Sequence, residues 1–331
     1  LNNRVLIRVD GGPAMGLGHL IRCTALAHML EGAFNAVFVC QQGAQYLENR
    51  ESGNGFDVVQ LDAVLDDVEQ LIRLSKVYTT AEGHPPLVVL DGYHFGADYQ
   101  LKLKNNGLRV VSIDDIHRER FYSDVIINHS GGFSREDYDV PMETLLYTGL
   151  EYCLLRPPFL QAANNRSAKR FPKSSIFICL GGADPNNDTL AVLDLLYRNR
   201  VVDRKVNLVL GSAFQHEDAL MAYIHKNNIE LEIFKKVSAE GMVGLMEEAK
   251  FAVTPPSTTS YEYLCVNQNL LLYKIADNQK RMEEYLTGVG MATTLRSFIG
   301  DQQFRNNPDL QNQCFDGKQR TRIIDIFKNI A

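Results

Sequence analysis

The sequence predicts an α/β chain of two doubly wound domains facing each other across a cleft. Three observations carry this. Short apolar strand-like runs alternate with helix-period segments through the first half, the same rhythm restarts near residue 175, and a polar, proline-bearing stretch separates the two. That alternation is the signature of βαβ units and a mostly parallel sheet covered on both faces. At 331 residues, 45% hydrophobic and 22% charged, the chain can bury two ordinary cores.

The first element is the run 5–9, which reads as a buried strand. Gly11, Gly12, Pro13, Gly16 and Gly18 follow, and then a helix whose apolar positions Leu20, Cys23, Ala27 and Leu30 keep a 3.6-residue period. Glycine permits backbone conformations closed to other residues, and a helix start offers free N–H groups, so this corner suits an anion. His19 stands at its mouth, with Arg22 one turn on. Imidazole is the side chain best matched to moving a proton near neutral pH. The turn lacks both the dinucleotide fingerprint and the P-loop Lys-Ser/Thr. No acid follows the second strand, where Gln41 and Gln42 stand instead, which excludes a nicotinamide site.

Further strands are expected at 36–40, 58–61, 87–90, 109–113, 125–128 and 144–148, with helices at 64–76 and 97–105 among them. The segment 156–173, holding Pro157, Pro158 and Pro172 around a basic NNRSAKR run, reads as a hinge. The second domain then offers strands at 175–180, 206–210, 230–234, 251–254 and 270–273, and the chain ends in an amphipathic helix over 321–330. The expected division is 1–160 for the first Rossmann-like domain, 161–173 for the linker and 174–331 for the second.

A net charge of −6 argues against nucleic acid as the main partner. No run of about 18 apolar residues predicts a membrane span, and no stretch reads as a secretory leader. Six scattered cysteines without a C-x-x-C pair read as buried thiols of a cytoplasmic protein.

Several strand ends carry chemistry. Gly181 and Gly182 precede Asp184 and Asp188, with Asp188 the expected helix N-cap. Pro255 and Pro256 lead into Ser257, Thr258 and, one turn on, Glu262; hydroxyls and helix N–H groups there suit a diphosphate, and a carboxylate suits vicinal ribose hydroxyls. Taken alone, each also reads as ordinary capping. Asn278 and Gln279 carry uncharged amides fit for sugar hydroxyls or an N-acetyl group, while Asp277 reads as a helix cap. In the first half, Asp91, Tyr93 and His94 share the His19 rim with Asp114, Asp115 and His117. Tyr93 can donate through its hydroxyl, and the acid pair can orient a histidine or contact sugar. A metal there would lack visible further ligands, so none is expected. His28 reads as packing, and His84 and His216 as loop residues.

Taken in order, DGGPAMGLGHLIRC, LDGY, SIDD, YCLLRPPF, CLGGADPNN, PSTTSYE and ADNQ resemble one family over residues 4–286. It is the UDP-sugar hydrolase family of bacterial pseudaminic acid synthesis, of PseG/SpsG type. That family is related in fold to the GT-B glycosyltransferase of peptidoglycan synthesis. The resemblance implies a GT-B-like fold and release of UDP from a 2,4-diacetamido-2,4,6-trideoxy-altrose nucleotide, with no cofactor. It places the general base on His19. It places sugar contacts on Tyr93 and Asn278, with Asp10, Gly18, Arg22, Asp115 and Gln279 around them. UDP falls to Gly181, Gly182, Ser257 and Thr258 at the diphosphate, Glu262 at the ribose and Val237 at the uracil.

Two departures stand out. Pro256 replaces the family's usual glycine and removes an N–H donor, and Tyr261 stands where the family has tryptophan. Two other readings share the same motifs: a UDP-sugar-dependent glycosyltransferase of GT-B type in cell-surface polysaccharide synthesis, and a non-catalytic UDP-sugar-binding subunit. The oligomeric state is left open.

Overall fold

The structure is a computed structural model that describes residues 3–12, 16–47, 55–116, 120–166 and 173–331. It divides into two compact units, 1–156 with 318–331, and 157–317.

The first unit contains β1 (Arg4–Val9), α1 (Gly18–Leu30), β2 (Asn35–Cys40), β3 (Asp57–Gln60), α2 (Asp67–Val77) and β4 (Leu87–Asp91). After these come α3 (Ala97–Asn105), β5 (Val110–Ile113), β6 (Val125–Asn128) and β7 (Leu145–Thr148). The strands form one parallel sheet in the order β3-β2-β1-β4-β5-β6-β7. The apolar runs read as strands are its centre: Val5, Leu6, Ile7 and Val88, Val89, Leu90 are all buried. Such runs suit a sheet covered on both faces. Charge also enters this unit at Arg8. Arg8 is fully buried, bonded to Asp10 and Asp67, with its guanidinium over the Phe95 ring at 5.1 Å. A buried cation persists only when so paired.

The second unit opens with α4 (Pro157–Asn165) and continues β8 (Ser175–Ile178), α5 (Asp188–Arg198), β9 (Lys205–Leu210), α6 (Glu217–Lys226) and β10 (Leu231–Lys235). Then follow α7 (Ala239–Glu247), β11 (Ala249–Thr254), α8 (Thr258–Val266), β12 (Leu270–Leu272), α9 (Lys280–Gly288), β13 (Thr293–Thr294), α10 (Leu295–Asp301) and α11 (Pro308–Cys314). Its sheet is also parallel, in the order β10-β9-β8-β11-β12-β13.

The expected domain bounds differ from these units at both ends. The prolines read as a hinge begin α4, because proline is at home in a helix's first turn, and α4 packs on α7 and α8. Residues 167–172, with most of the expected linker's basic run and Pro172, lie outside the described residues. The C-terminal helix, Gln319–Ile330, joins the first unit. Its Phe327 ring meets Phe34 at 5.8 Å, and its Ile330 carbonyl accepts from Arg109. Amphipathic spacing shows that a helix has an apolar face, not which sheet that face covers. The two-residue β13 is too short to leave a pattern in the sequence. All six cysteines are free and buried. Among the described residues, no helix is long and apolar enough to cross a membrane.

Candidate functional site

In the first sheet the strand order reverses between β1 and β4, and open parallel sheets place ligands at the carboxyl ends of the strands around such a reversal. The glycine turn after β1 is closed by paired backbone bonds between Gly12 and Gly16, with Gly16 at φ 82°. Pro13 lies outside the described residues. Among the described residues no side chain caps α1, and Gly18 at its first position is exposed. The first-turn N–H groups there are of the kind that receive an anion.

His19, in that first turn, meets Asp91 at the end of β4: Nδ1 to Oδ1 is 2.7 Å. Arg22, one turn further along α1, donates from Nε to Asp91 Oδ2 at 2.9 Å and from Nη2 to Oδ1 at 2.5 Å. Cys23 Sγ adds a bond to Oδ2 at 3.3 Å. Each Asp91 oxygen therefore accepts two donors. Burial pushes the Asp91 carboxyl up, but the Arg22 charge and the bonds from Arg22 and His19 outweigh it and hold it well below the usual carboxylate range. An ionised oxygen at 2.7 Å requires the proton on Nδ1 of His19, which leaves the Nε2 lone pair as the ring's basic site. The Tyr93 ring, on the loop after β4, stands edge-on to His19 at 4.9 Å and is 51% exposed.

Arg22 differs from its expected role as a sugar contact. It is 5% exposed, and its Nη1 donates to Asp115 Oδ2 at 2.8 Å and faces His129 Nε2 at 3.5 Å. Every nitrogen of the guanidinium thus faces a protein partner. Asp10 is likewise buried and spent on structure. Its Oδ1 accepts the Gln41 and Gln42 amides at 2.7 and 2.8 Å, its Oδ2 accepts from Arg8 at 2.7 Å, and His94 Nε2 stands 3.5 Å away. Asp115 holds Arg22 and the Tyr93 hydroxyl on Oδ2, and its Oδ1 is buried without a donor among the described residues.

The acid pair does not orient the histidine, as one expectation had it. Asp114 turns to Tyr138 and Asn128, and Asp91 orients His19 instead. His117 lies outside the described residues, among which no cluster of metal-binding side chains occurs. His129 escaped the sequence reading. Its signal was its place directly after β6, as Asp114 stands directly after β5. Burial first, and then the Arg22 charge, push its imidazole down to about 4. His28 is half-buried, pairs with Glu31 and meets Phe56, in keeping with packing.

In the second sheet the order reverses between β8 and β11. After β8, Gly181 adopts φ 91°, and a Cβ on Gly211 would come within 2.2 Å of the Gly182 carbonyl. Asp188 is not the cap of α5. Asp184, 3% exposed, accepts from the Asp188 and Thr189 amides at 2.7 and 2.8 Å. A carboxylate already occupies that helix start, so the diphosphate expected beside Gly181 and Gly182 would meet a like charge there.

The start of α8 is different. Ser257 precedes it in extended backbone, and among the described residues no side chain caps it and the buried Ser257 Oγ has no partner. Thr258 is the first helical residue, while Ser260 is spent on Thr254 and Pro255. Glu262 lies in α8 at 3% exposure between buried Tyr261 and Tyr263. Val237 is half-buried against the first turn of α7, where a Cβ on Gly241 would stand 2.8 Å from its Cγ1. Asn278 is exposed in a short 3-10 turn. Asp277 lies in the same turn rather than capping α9. The Gln279 Oε1 accepts from the Ile275 and Ala276 amides at 2.9 and 3.3 Å, so its carbonyl closes the loop.

Two Rossmann-like units with chemistry at both strand-order reversals define a protein of GT-B-like fold. Solved structures agree on the fold. Anabaena HepE in complex with UDP matches with a TM-score of 0.61 at 12% identity, covering 99% of this chain and 100% of that one. Acinetobacter baumannii MurG matches with a TM-score of 0.59 at 14% identity, covering 99% of each.

Among curated proteins the chain is 25% identical over 292 residues to the UDP-2,4-diacetamido-2,4,6-trideoxy-beta-L-altropyranose hydrolase of Campylobacter jejuni, 87% of this chain and 97% of that protein. It is 25% identical to the spore coat polysaccharide biosynthesis protein SpsG of Bacillus subtilis, over 87% of this chain and 82% of that one. An uncharacterized Methanocaldococcus jannaschii protein is 26% identical over 86% of this chain, which spans only 58% of that relative's length. No family model matches. The chain thus resembles PseG/SpsG-type proteins over most of its length, as its motifs do.

Proposed function

We propose that the protein hydrolyses a UDP-linked 2,4-diacetamido-2,4,6-trideoxy sugar to free sugar and UDP, in nonulosonate synthesis of the pseudaminic acid type. One observation carries the chemistry: His19 is held by ionised Asp91 in the tautomer whose Nε2 is basic. The similarity to the Campylobacter hydrolase supports the substrate class.

In this reading His19 Nε2 takes a proton from water as the water oxygen bonds to the anomeric carbon. The bond from that carbon to the diphosphate oxygen breaks, and its electron pair leaves with UDP. Asp91 stabilises the imidazolium so formed. The uncapped start of α8, with Ser257 and Thr258, receives the diphosphate and its growing charge. Glu262 takes the ribose hydroxyls, Val237 packs on the uracil, and Tyr93 and Asn278 contact the sugar. Direct attack inverts the anomeric centre.

The likeness in fold to the solved glycotransferase of kitacinnamycin supports a second reading, transfer of the same sugar to an acceptor hydroxyl. Incubation with the diacetamido-trideoxy-altrose nucleotide in ¹⁸O-water decides between them. Hydrolysis releases UDP without an acceptor and puts the label in the free sugar. Label in UDP would mean attack at phosphorus, and release only on adding an acceptor would make the protein a transferase. Binding of the nucleotide sugar with no turnover under either condition would leave a binding subunit.

A further inference from the structure

We propose that Arg22 is a positioning residue that sets how firmly His19 holds a proton, by sharing the Asp91 carboxylate with it. The proposal rests on His19 being the general base. Its ground is a contact that hydrogen bonding does not account for. Arg22 Nη2 stands 3.1 Å from His19 Nδ1, yet Nδ1 already carries the proton given to Asp91. Two donors therefore converge on one oxygen, Asp91 Oδ1, and face each other across it.

The consequence is electrostatic. Protonated His19 is drawn to Asp91 from β4 and repelled by Arg22 from its own helix. Tyr93 stands at the ring's edge; behind Arg22 lie Asp115 after β5 and His129 after β6, and Cys23 lies behind Asp91. Arg22 is the cation of this group, set against Asp91 and Asp115. With both histidines neutral, the cluster carries one net negative charge, and a proton on His19 brings it to zero. Asp91 strengthens the ring's hold on that proton, and Arg22, beside the ring on the same carboxylate oxygen, weakens it.

The test is a titration that needs no turnover: NMR of histidine-labelled protein, with the His19 signal assigned by its loss in H19A. In R22Q the His19 midpoint is expected to move up by about one pH unit, a tenfold gain in proton affinity. In D91N it is expected to move down. A folded R22Q protein whose midpoint stays or falls overturns the proposal.

R22Q leaves Asp91 and Asp115 facing each other, which can prevent folding. The double variant R22Q/D115N removes one charge of each sign; because Arg22 stands against the ring and Asp115 lies behind Arg22, a smaller upward shift is expected, with an unmoved midpoint again overturning the proposal. The acid limb of kcat/KM should follow the same directions. Variants that show these shifts while the wild-type protein releases no UDP would end the hydrolase reading and leave the tuning in place. Hydrolysis with unmoved midpoints would do the reverse.

Discussion

His19 Nδ1 and Asp91 Oδ1 stand 2.7 Å apart although 72 positions separate them in the chain. One residue starts a helix and the other ends a strand, so the sheet itself aligns base and carboxylate.

Removing the base should act on chemistry rather than on UDP. H19A is expected to lower kcat by about 10²–10⁴, the usual range for loss of a general base. The UDP dissociation constant, read by calorimetry, should stay within a few-fold. Near-normal turnover in H19A would remove His19 from the reaction.

D91N tests the tautomer. An asparagine here keeps its carbonyl towards Arg22 and turns its amide towards Nδ1, which moves the ring proton to Nε2 and blocks the base. The same error in a Ser-His-Asp triad costs about 10⁴ in kcat. A loss of at least about 10² with unchanged UDP affinity is expected. A tenfold loss or less would mean that Asp91 only packs against the helix.

Glu262 is buried in α8, so the isosteric E262Q is the fair variant. It should weaken UDP binding far more than binding of inorganic diphosphate, because only UDP brings a ribose. Calorimetry showing equal effects on both ligands would make Glu262 a structural residue of the helix.

His129 makes stability depend on pH. Its imidazole titrates near 4 in the fold, against 6.5 when unperturbed. Between those values the unfolded chain binds a proton that the folded chain refuses. Its contribution is complete above about pH 6.5 and is lost as pH falls towards 4, with a slope of about 1.4 kcal/mol per pH unit. Urea unfolding at several pH values should show that slope shrinking by this amount in H129N. Parallel slopes in the two proteins would contradict a buried neutral His129.

Much of the fold was legible because apolar or β-rich runs mark twelve of the thirteen strands, and in the sheet centres, as in β4, β5 and β6, burial on both faces makes those runs continuous. The escaped strand, Thr293–Thr294, is too short for any pattern. The site was legible in its positions but less so in its roles. A residue at a strand end can be seen in a sequence; the partner that its side chain meets cannot. Arg22, Asp10 and Gln279 read as sugar contacts because they are polar and stand beside glycine turns or helix starts. Arg22 and Asp10 satisfy a buried carboxylate and a buried guanidinium, and the Gln279 carbonyl takes loop amides, partners that a list of residues does not show. Asp184 and His129 were missed for the same reason.

What the sequence by itself determined is the pair of doubly wound α/β units, the glycine turn before His19 and the ordered motifs that point to a UDP-sugar. Hydrophobic period, turn chemistry and helix starts are local properties, written within a few residues of one another. What only the tertiary structure decided is the partnership of His19 with Asp91, the bracing of both by Arg22, the filling of the α5 start by Asp184, and the membership of the C-terminal helix in the first unit. These depend on contacts between elements distant in the chain. Burial makes such contacts energetically necessary, because a charge or polar group withdrawn from water must find a partner, but only the packed sheet determines which partner that is.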